Sequence, residues 1–234
     1  MSETPDGERP SQRPSQRPSE EMAPEAPEAT GGPVMGLLAR GLELWLRQQC
    51  EAIERLEIRL EGSGLRLLRG RLDGVRLRAR RVVYQAMEIE EVELRCDGIQ
   101  VRMGSLVRNQ AVKLESPFRI QGQVSFSGDG LSRSLSTPAW RGLGDGLADD
   151  LLGLTPLAGL RIREDRLLLR AFASGDREPV EREVAVRADG GTVELRCAEG
   201  TPHARLPMDP NIRIERAELG AGLLHLEGEA RVSP

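Results

Sequence analysis

The chain is poor in the residues that most often announce chemistry. Aromatics make up 3% of its 234 residues, two Trp, one Tyr and three Phe. That is too few for the stacked platforms on which single-stranded nucleic acid is held, so no nucleic-acid partner is expected. There are two His and three Cys, with no CxxC pair and no HExxH, which argues against a zinc site. The cysteines are odd in number and far apart in the chain. They suggest free thiols in a reducing setting rather than a disulfide framework. Lysine is almost missing: Lys113 is the one lysine among 33 basic residues. So uniform a preference for arginine reads first as a genome bias and second as a choice of planar guanidinium.

Signatures of catalysis are also absent. GxSxG does not occur, and no glycine-rich turn follows a strand and opens a helix as a phosphate cradle requires. Gly62-Ser63-Gly64 and Gly128-Asp129-Gly130 read as turns. His225 alternates out of the apolar row Leu224–Leu226, and His203 sits beside Pro202, neither with a partner in view. Asp149 and Asp150 would point about 100° apart on a helix, which does not pair two carboxylates. The expectation is a non-enzymatic protein with no cofactor and no metal.

Residues 1–33 hold seven of the 15 prolines and no Val, Ile, Leu, Phe, Tyr or Trp. Such a segment buries too little apolar area to offset its ordering entropy, so it reads as a disordered tail. It carries the whole net charge of −4, leaving the body neutral. No apolar core of a signal peptide opens the chain, and no run is long enough to span a bilayer. The localisation expected is cytoplasmic, with a peripheral-membrane role open. Residues 34–234 are expected to form a single domain beginning with an amphipathic helix over 34–49. There Met35, Leu38, Leu42 and Trp45 would form the apolar stripe, with Arg40, Glu43 and Arg47 opposite. Two readings of that helix stand: packing on the body, and lying at a membrane surface.

From Glu54 onward, period two dominates. Leu56, Ile58 and Leu60 alternate with charges, as do Val75, Leu77 and Ala79, then Val92, Leu94 and Cys96, then Ile99, Val101 and Met103. Phe118, Ile120, Val124 and Phe126 continue it, and further strands recur between Leu167 and Leu226. These are half-buried antiparallel strands. Asp97-Gly98 and Asp189-Gly190-Gly191 predict hairpin turns. Ile89 and Val92 fall on opposite parities, which predicts a bulge at Glu90-Glu91. One interruption is helical: Asp129 caps a turn holding Leu131 and Leu135, and Thr137-Pro138 starts a central helix over about 138–152. That helix carries Leu143, Leu147 and Leu151, with Gly142, Gly144 and Gly146 weakening it. The pentapeptide VELRC occurs at Val92–Cys96 and again at Val193–Cys197.

The densest charge lies in Leu65–Arg81, seven arginines against Asp73. These could meet phosphates, or could pair across strands with Glu88, Glu90, Glu91 and Glu93. At this run a resemblance enters. Leu68–Tyr84 (LRGRLDGVRLRARRVVY), followed by Met87–Leu94 (MEIEEVEL), and then Pro117-Phe118 with Val124–Leu135 (VSFSGDGLSRSL), resemble the LmeA-like phospholipid-binding family of bacteria. The resemblance extends over about residues 37–232 and rests on packing and turn patterns. It implies a sheet curled against a helix, similar to tubular lipid-binding proteins, and it brings no catalytic residues.

The two lines of reasoning give one expectation. The fold class is α+β: a long curved antiparallel sheet packed against a central helix, with an N-terminal amphipathic helix and a disordered tail. An apolar trough would hold the acyl chains of a phospholipid or other acyl lipid. Its helix wall would be Leu131, Leu135, Leu143, Leu147 and Leu151, and its floor Phe118, Ile120, Val124 and Phe126. Arg76, Arg78 and Arg80 are the headgroup candidates. The alternative is a protein-interaction or scaffold domain without a ligand.

Overall fold

A strand that alternates aliphatic and charged residues has one face to bury, and its neighbours must match it row by row. The computed structural model describes residues 33–100, 116–173, 178–197 and 202–233. Its elements in order are α1 (Pro33–Gln49), β1 (Ala52–Glu61), α2 (Gly64–Leu68), β2 (Arg71–Tyr84), β3 (Met87–Gln100), β4 (Phe118–Ser127), α3 (Gly128–Ser136) and α4 (Arg141–Leu152). They continue with β5 (Leu157–Arg163), β6 (Arg166–Phe172), β7 (Pro179–Asp189), β8 (Thr192–Cys197), β9 (His203–Arg205), β10 (Ile212–Gly220) and β11 (Leu223–Val232). The class is α+β with antiparallel pairing throughout. The strands form two sheets, where one long sheet was expected. A six-stranded sheet runs β1-β2-β3-β4-β11-β10, and a five-stranded meander runs β5-β6-β7-β8-β9. The cause is the helical break after β4. Strands that follow it pair with each other, and only the β10–β11 hairpin returns to β4.

In the six-stranded sheet the register lines up the aliphatic residues. Ile58, Leu77, Leu94 and Gly122 share one row, and Leu56, Ala79, Val92 and Val124 the next. Two clusters hold α1 and α2 onto this face. Met35 and Leu38 meet Leu67, Leu72, Leu60 and Val75, and Leu46 meets the group around Leu56, Ala79 and Val82. Trp45, expected on the buried stripe, is exposed, and Leu46 takes the inner position. The i,i+4 pair of Glu43 and Arg47 forms at 3.2 Å.

Ile89 and Val92 do reach the same cluster, but no register shift separates β2 from β3 there. Three strands step together instead. Glu54-Arg55, Arg80-Arg81 and Glu90-Glu91 each place two polar residues in succession, and Arg81 adopts φ 49° and pairs with Glu54 at 2.9 Å. Asp97-Gly98 makes no hairpin either. Gly98 takes φ 61°, and β3 continues past it, with Ile99 still opposite Leu72. Val101 and Met103 lie outside the described residues. Gly190-Gly191 does turn β7 into β8, both with positive φ.

The five-stranded sheet carries the larger core. Leu135 of α3 and Leu147 and Leu151 of α4 pack on Leu160, Leu167, Leu169, Val184 and Leu195. The expected single central helix is two. Ser127, not Asp129, caps α3, its Oγ accepting from Gly130 N at 3.2 Å. Thr137 Oγ1 donates to Ser134 O and so closes α3 rather than opening α4. Between the sheets, α3 sits on β3 and β5, and Ile214 N of β10 donates to Gly191 O at 2.8 Å.

The glycines of α4 differ in what they do. A Cβ on Gly144 would lie 3.0 Å from Leu157 Cδ2 and 3.2 Å from Leu135 Cβ, so this glycine sets the closeness of α3 and α4. Gly142 and Gly146 have nothing within 4 Å. Replacing either by Ala is expected to stabilise the fold by about 0.5–1 kcal/mol through helix propensity. Gly144→Ala is expected to destabilise it. Thermal melts of the three variants check this, and equal gains at all three positions would refute it.

Candidate functional site

On β4, alternation sends Phe118, Ile120, Val124 and Phe126 to the aliphatic face, where β11 adds Val232, Ala230, Leu226 and Leu224 directly beside them. Gly122 between them makes room for Leu94, whose Cδ2 would lie 2.7 Å from an added Cβ. The four β4 side chains are half-buried. Among the described residues none of them packs against the three core clusters. The aliphatic face of β1 and β2 is covered by α1 and α2, and that of β4 and β11 carries no such helix among the described residues.

The helical leucines lie elsewhere. Leu135, Leu147 and Leu151 are 6%, 7% and 0% exposed in the core of the five-stranded sheet, with Leu131 and Leu143 against the same cluster. The structure therefore does not bring the expected wall and the expected floor together. The stripe was right as a stripe, but α3 turns the chain away from β4 and the leucines follow it onto β5–β9. Leu147→Glu thus places a carboxylate in a filled core. It is expected to cost more than about 4 kcal/mol and to abolish cooperative unfolding. A folded, cooperative variant by circular dichroism would contradict that placement.

Arg76, Arg78 and Arg80 project from the opposite face of β2. The register pairs them with Arg95, Glu93 and Glu91, while the intervening Val75, Leu77 and Ala79 pair with Cys96, Leu94 and Val92. Arg78 Nε is 3.1 Å from Glu93 and Arg80 Nη2 is 2.5 Å from Glu91, the cross-strand pairing weighed from sequence. Arg76 Nε is 2.6 Å from Glu61. All three remain largely exposed, so each pair adds at most about 1 kcal/mol. A sheet stands between these guanidinium groups and the β4 side chains, and one lipid would have to pass an edge to touch both.

This charged face bounds a cavity of about 390 Å³. Glu57 and Arg59 of β1, Arg76 and Arg78 of β2, Gln123 of β4 and Glu215 of β10 all line it. Its lining suits water and polar ligands, not acyl chains. Arg59, Arg76 and Arg95 stand directly opposite one another on three strands, an unfavourable like-charge row. Glu61 and Asp97 offset it through Arg76 and Arg95.

One charged group escaped sequence reading. Glu194 of β8 has a side chain 1% exposed and is held by Arg187 at 2.6 Å, Arg196 at 3.0 Å and Arg205 at 3.8 Å. The hydrogen bond from Arg196, then the one from Arg187, hold its carboxyl at about 2 against an ordinary 4.5. Glu93, in the identical pentapeptide, is exposed. The difference is made by the strands on either side, which a local sequence does not contain. Because the folded value is the lower one, the stabilisation is present above pH 4.5 and is lost as pH falls towards 2. Glu194→Gln is expected to melt lower than the wild type at neutral pH, with the gap closing in that acid window. A gap independent of pH would contradict the assignment.

Cys96 and Cys197 are buried and Cys50 half-buried, all as free thiols, and burial pushes the Cys96 thiol up. His225 is exposed, with Nε2 3.0 Å from Gly220 O. Among the described residues no helix is long and apolar enough to cross a membrane. A model of the LmeA-like phospholipid-binding family matches residues 30–229 of the chain. No curated protein and no solved structure matches it.

Proposed function

The chain belongs to the LmeA-like phospholipid-binding family, and from that premise we propose that it is a non-enzymatic carrier or sensor of phospholipid, working at the periphery of a membrane. The acyl chains would lie on the aliphatic face of β4 and β11, against Phe118, Ile120, Val124 and Phe126. The observation that carries this reading is that face itself: an aliphatic surface, half-buried except at Leu224 and crossed by the glycine pair Gly122 and Gly228, that is part of none of the described core clusters. Apolar area removed from water there is worth about 25 cal/mol per Å². The helical leucines have no part in it, because they fill another core. The headgroup would lie beyond a sheet edge, since Arg76, Arg78 and Arg80 stand on the far face.

Mass spectrometry of lipid co-purifying with the protein tests the reading. The wild type is expected to carry phospholipid. Phe118→Glu, at the end of β4, is expected to lose most of it while its melting temperature stays within a few degrees. A wild type that purifies without lipid and takes none from vesicles would sink the proposal. Retention of lipid by folded Phe118→Glu would move the site away from β4.

A further inference from the structure

Helix α1 has two apolar faces. The inner one, Met35, Leu38 and Leu46, is used on the sheet. The outer one is not: Leu37 is 74% exposed, Leu44 61% and Trp45 53%. Leu37 and Leu44 are seven residues apart and so lie on one side of the helix, with Trp45 beside them. Helix α2, packed beside the start of α1 in the same cluster, adds Leu65 at 63% exposure. Half of the large hydrophobics most exposed in the described structure are therefore on these two helices.

Arginine outnumbers the acids on and beside these helices. Residues 33–49 and 61–73 carry Arg40, Arg47, Arg66, Arg69 and Arg71 against Glu43, Glu61 and Asp73, and Arg47 and Arg66 are paired with Glu43 and Asp73. Arg40, Arg69 and Arg71 make no ion pair among the described residues. The chain as a whole is acidic, so this local excess is not a bulk property. Leu and Trp on an exposed helical face, rimmed by arginine, fit an anionic lipid–water interface, where Trp prefers the headgroup level and guanidinium groups meet phosphates.

We propose that the outer face of α1, Leu37, Leu44 and Trp45, with Leu65 of α2, docks the protein on the surface of an anionic bilayer. This rests on the phospholipid reading above and names the surface through which the protein would reach its lipid. Docking leaves the inner face of α1 on the sheet. It requires no unfolding, and the site on β4 and β11 remains separate from it.

Flotation with vesicles of phosphatidylcholine alone, and of phosphatidylcholine mixed with phosphatidylglycerol, is the test. The wild type is expected to float with the mixed vesicles, less with the neutral ones, and less again as salt rises. Leu37→Ser combined with Leu44→Ser is expected to reduce partitioning about tenfold or more, because two inserted side chains are lost. Its thermal melt is expected to match the wild type, both positions being solvent-exposed. Brominated phospholipid is expected to quench Trp45, and Trp45→Phe to remove that quenching, since Trp140 is tied to Gln85 O through Nε1 at 2.7 Å. Equal flotation of variant and wild type would overturn the proposal, as would a wild type that floats with neither vesicle. A wild-type dimer in light scattering that the double variant abolishes would also overturn it, because a second copy would then be the occupant. Binding of monomeric short-chain phosphatidylglycerol, measured in parallel, separates the two readings. Flotation without monomer binding keeps the docking face and removes the lipid site, and monomer binding without flotation does the reverse.

Discussion

Two polar grips on α3, nine residues from Gly128 to Ser136, join the halves of this structure. On one side Arg133 holds Glu88 of β3 through two bonds of 2.8 and 2.6 Å, and Ser134 Oγ accepts from Glu88 N at 2.9 Å. On the other, Ser132 Oγ donates to Leu160 O and accepts from Leu160 N of β5. Gly128 permits this second contact, for a Cβ there would lie 2.6 Å from Ile162 N. The arginine pair holds the Glu88 carboxyl below its ordinary value. Once α3 is fixed this way, Leu135 must point at the five-stranded sheet, and α4 follows it.

That constraint decides where an apolar ligand can lie. The five leucines that would have walled a trough over β4 lie in or against the core of the five-stranded sheet, and among the described residues no helix covers the β4–β11 face. The opposite face of the same sheet needs no cover. Its arginines are offset by nearby carboxylates, Arg76 by Glu61, Arg78 by Glu93, Arg80 by Glu91 and Arg95 by Asp97, and each pair keeps contact with water, so the face costs little to leave open. A sheet with one self-satisfied charged face and one aliphatic face resembles an interface more than a closed core.

Strands were the most legible feature of the sequence, because period two is written in residues such as Val75, Leu77 and Ala79 and needs no partner to be read. The pairing of Arg78 with Glu93 and Arg80 with Glu91 followed from the same alternation. Turns were read poorly. Gln85-Ala86, Glu164-Asp165 and Ala221-Gly222 adopt positive φ with mostly non-glycine residues, so the usual Asn-Gly or Asp-Gly signal was missing, while Asp97-Gly98 gave the signal inside a strand. The helical stripe was legible, but its partner sheet was not, because that choice is made by Ser132 and Arg133, polar residues outside any hydrophobic pattern. Glu194 was invisible for a related reason: burial of a charge depends on Arg187 and Arg205, which reach it from neighbouring strands.

Trp45 shows how a wrong detail can carry information. Helical spacing allowed either Trp45 or Leu46 to complete the inner stripe, and both are apolar. The structure gives the inner place to Leu46, which leaves the larger, amphipathic ring outside beside Leu37 and Leu44. A free amphipathic peptide must become a helix when it meets a bilayer, and the ordering entropy is charged against its affinity. In this chain α1 is already ordered by Met35, Leu38 and the bond from Arg47 Nη1 to Ile53 O. On the proposed docking, few exposed side chains would then be enough for a reversible hold on a surface.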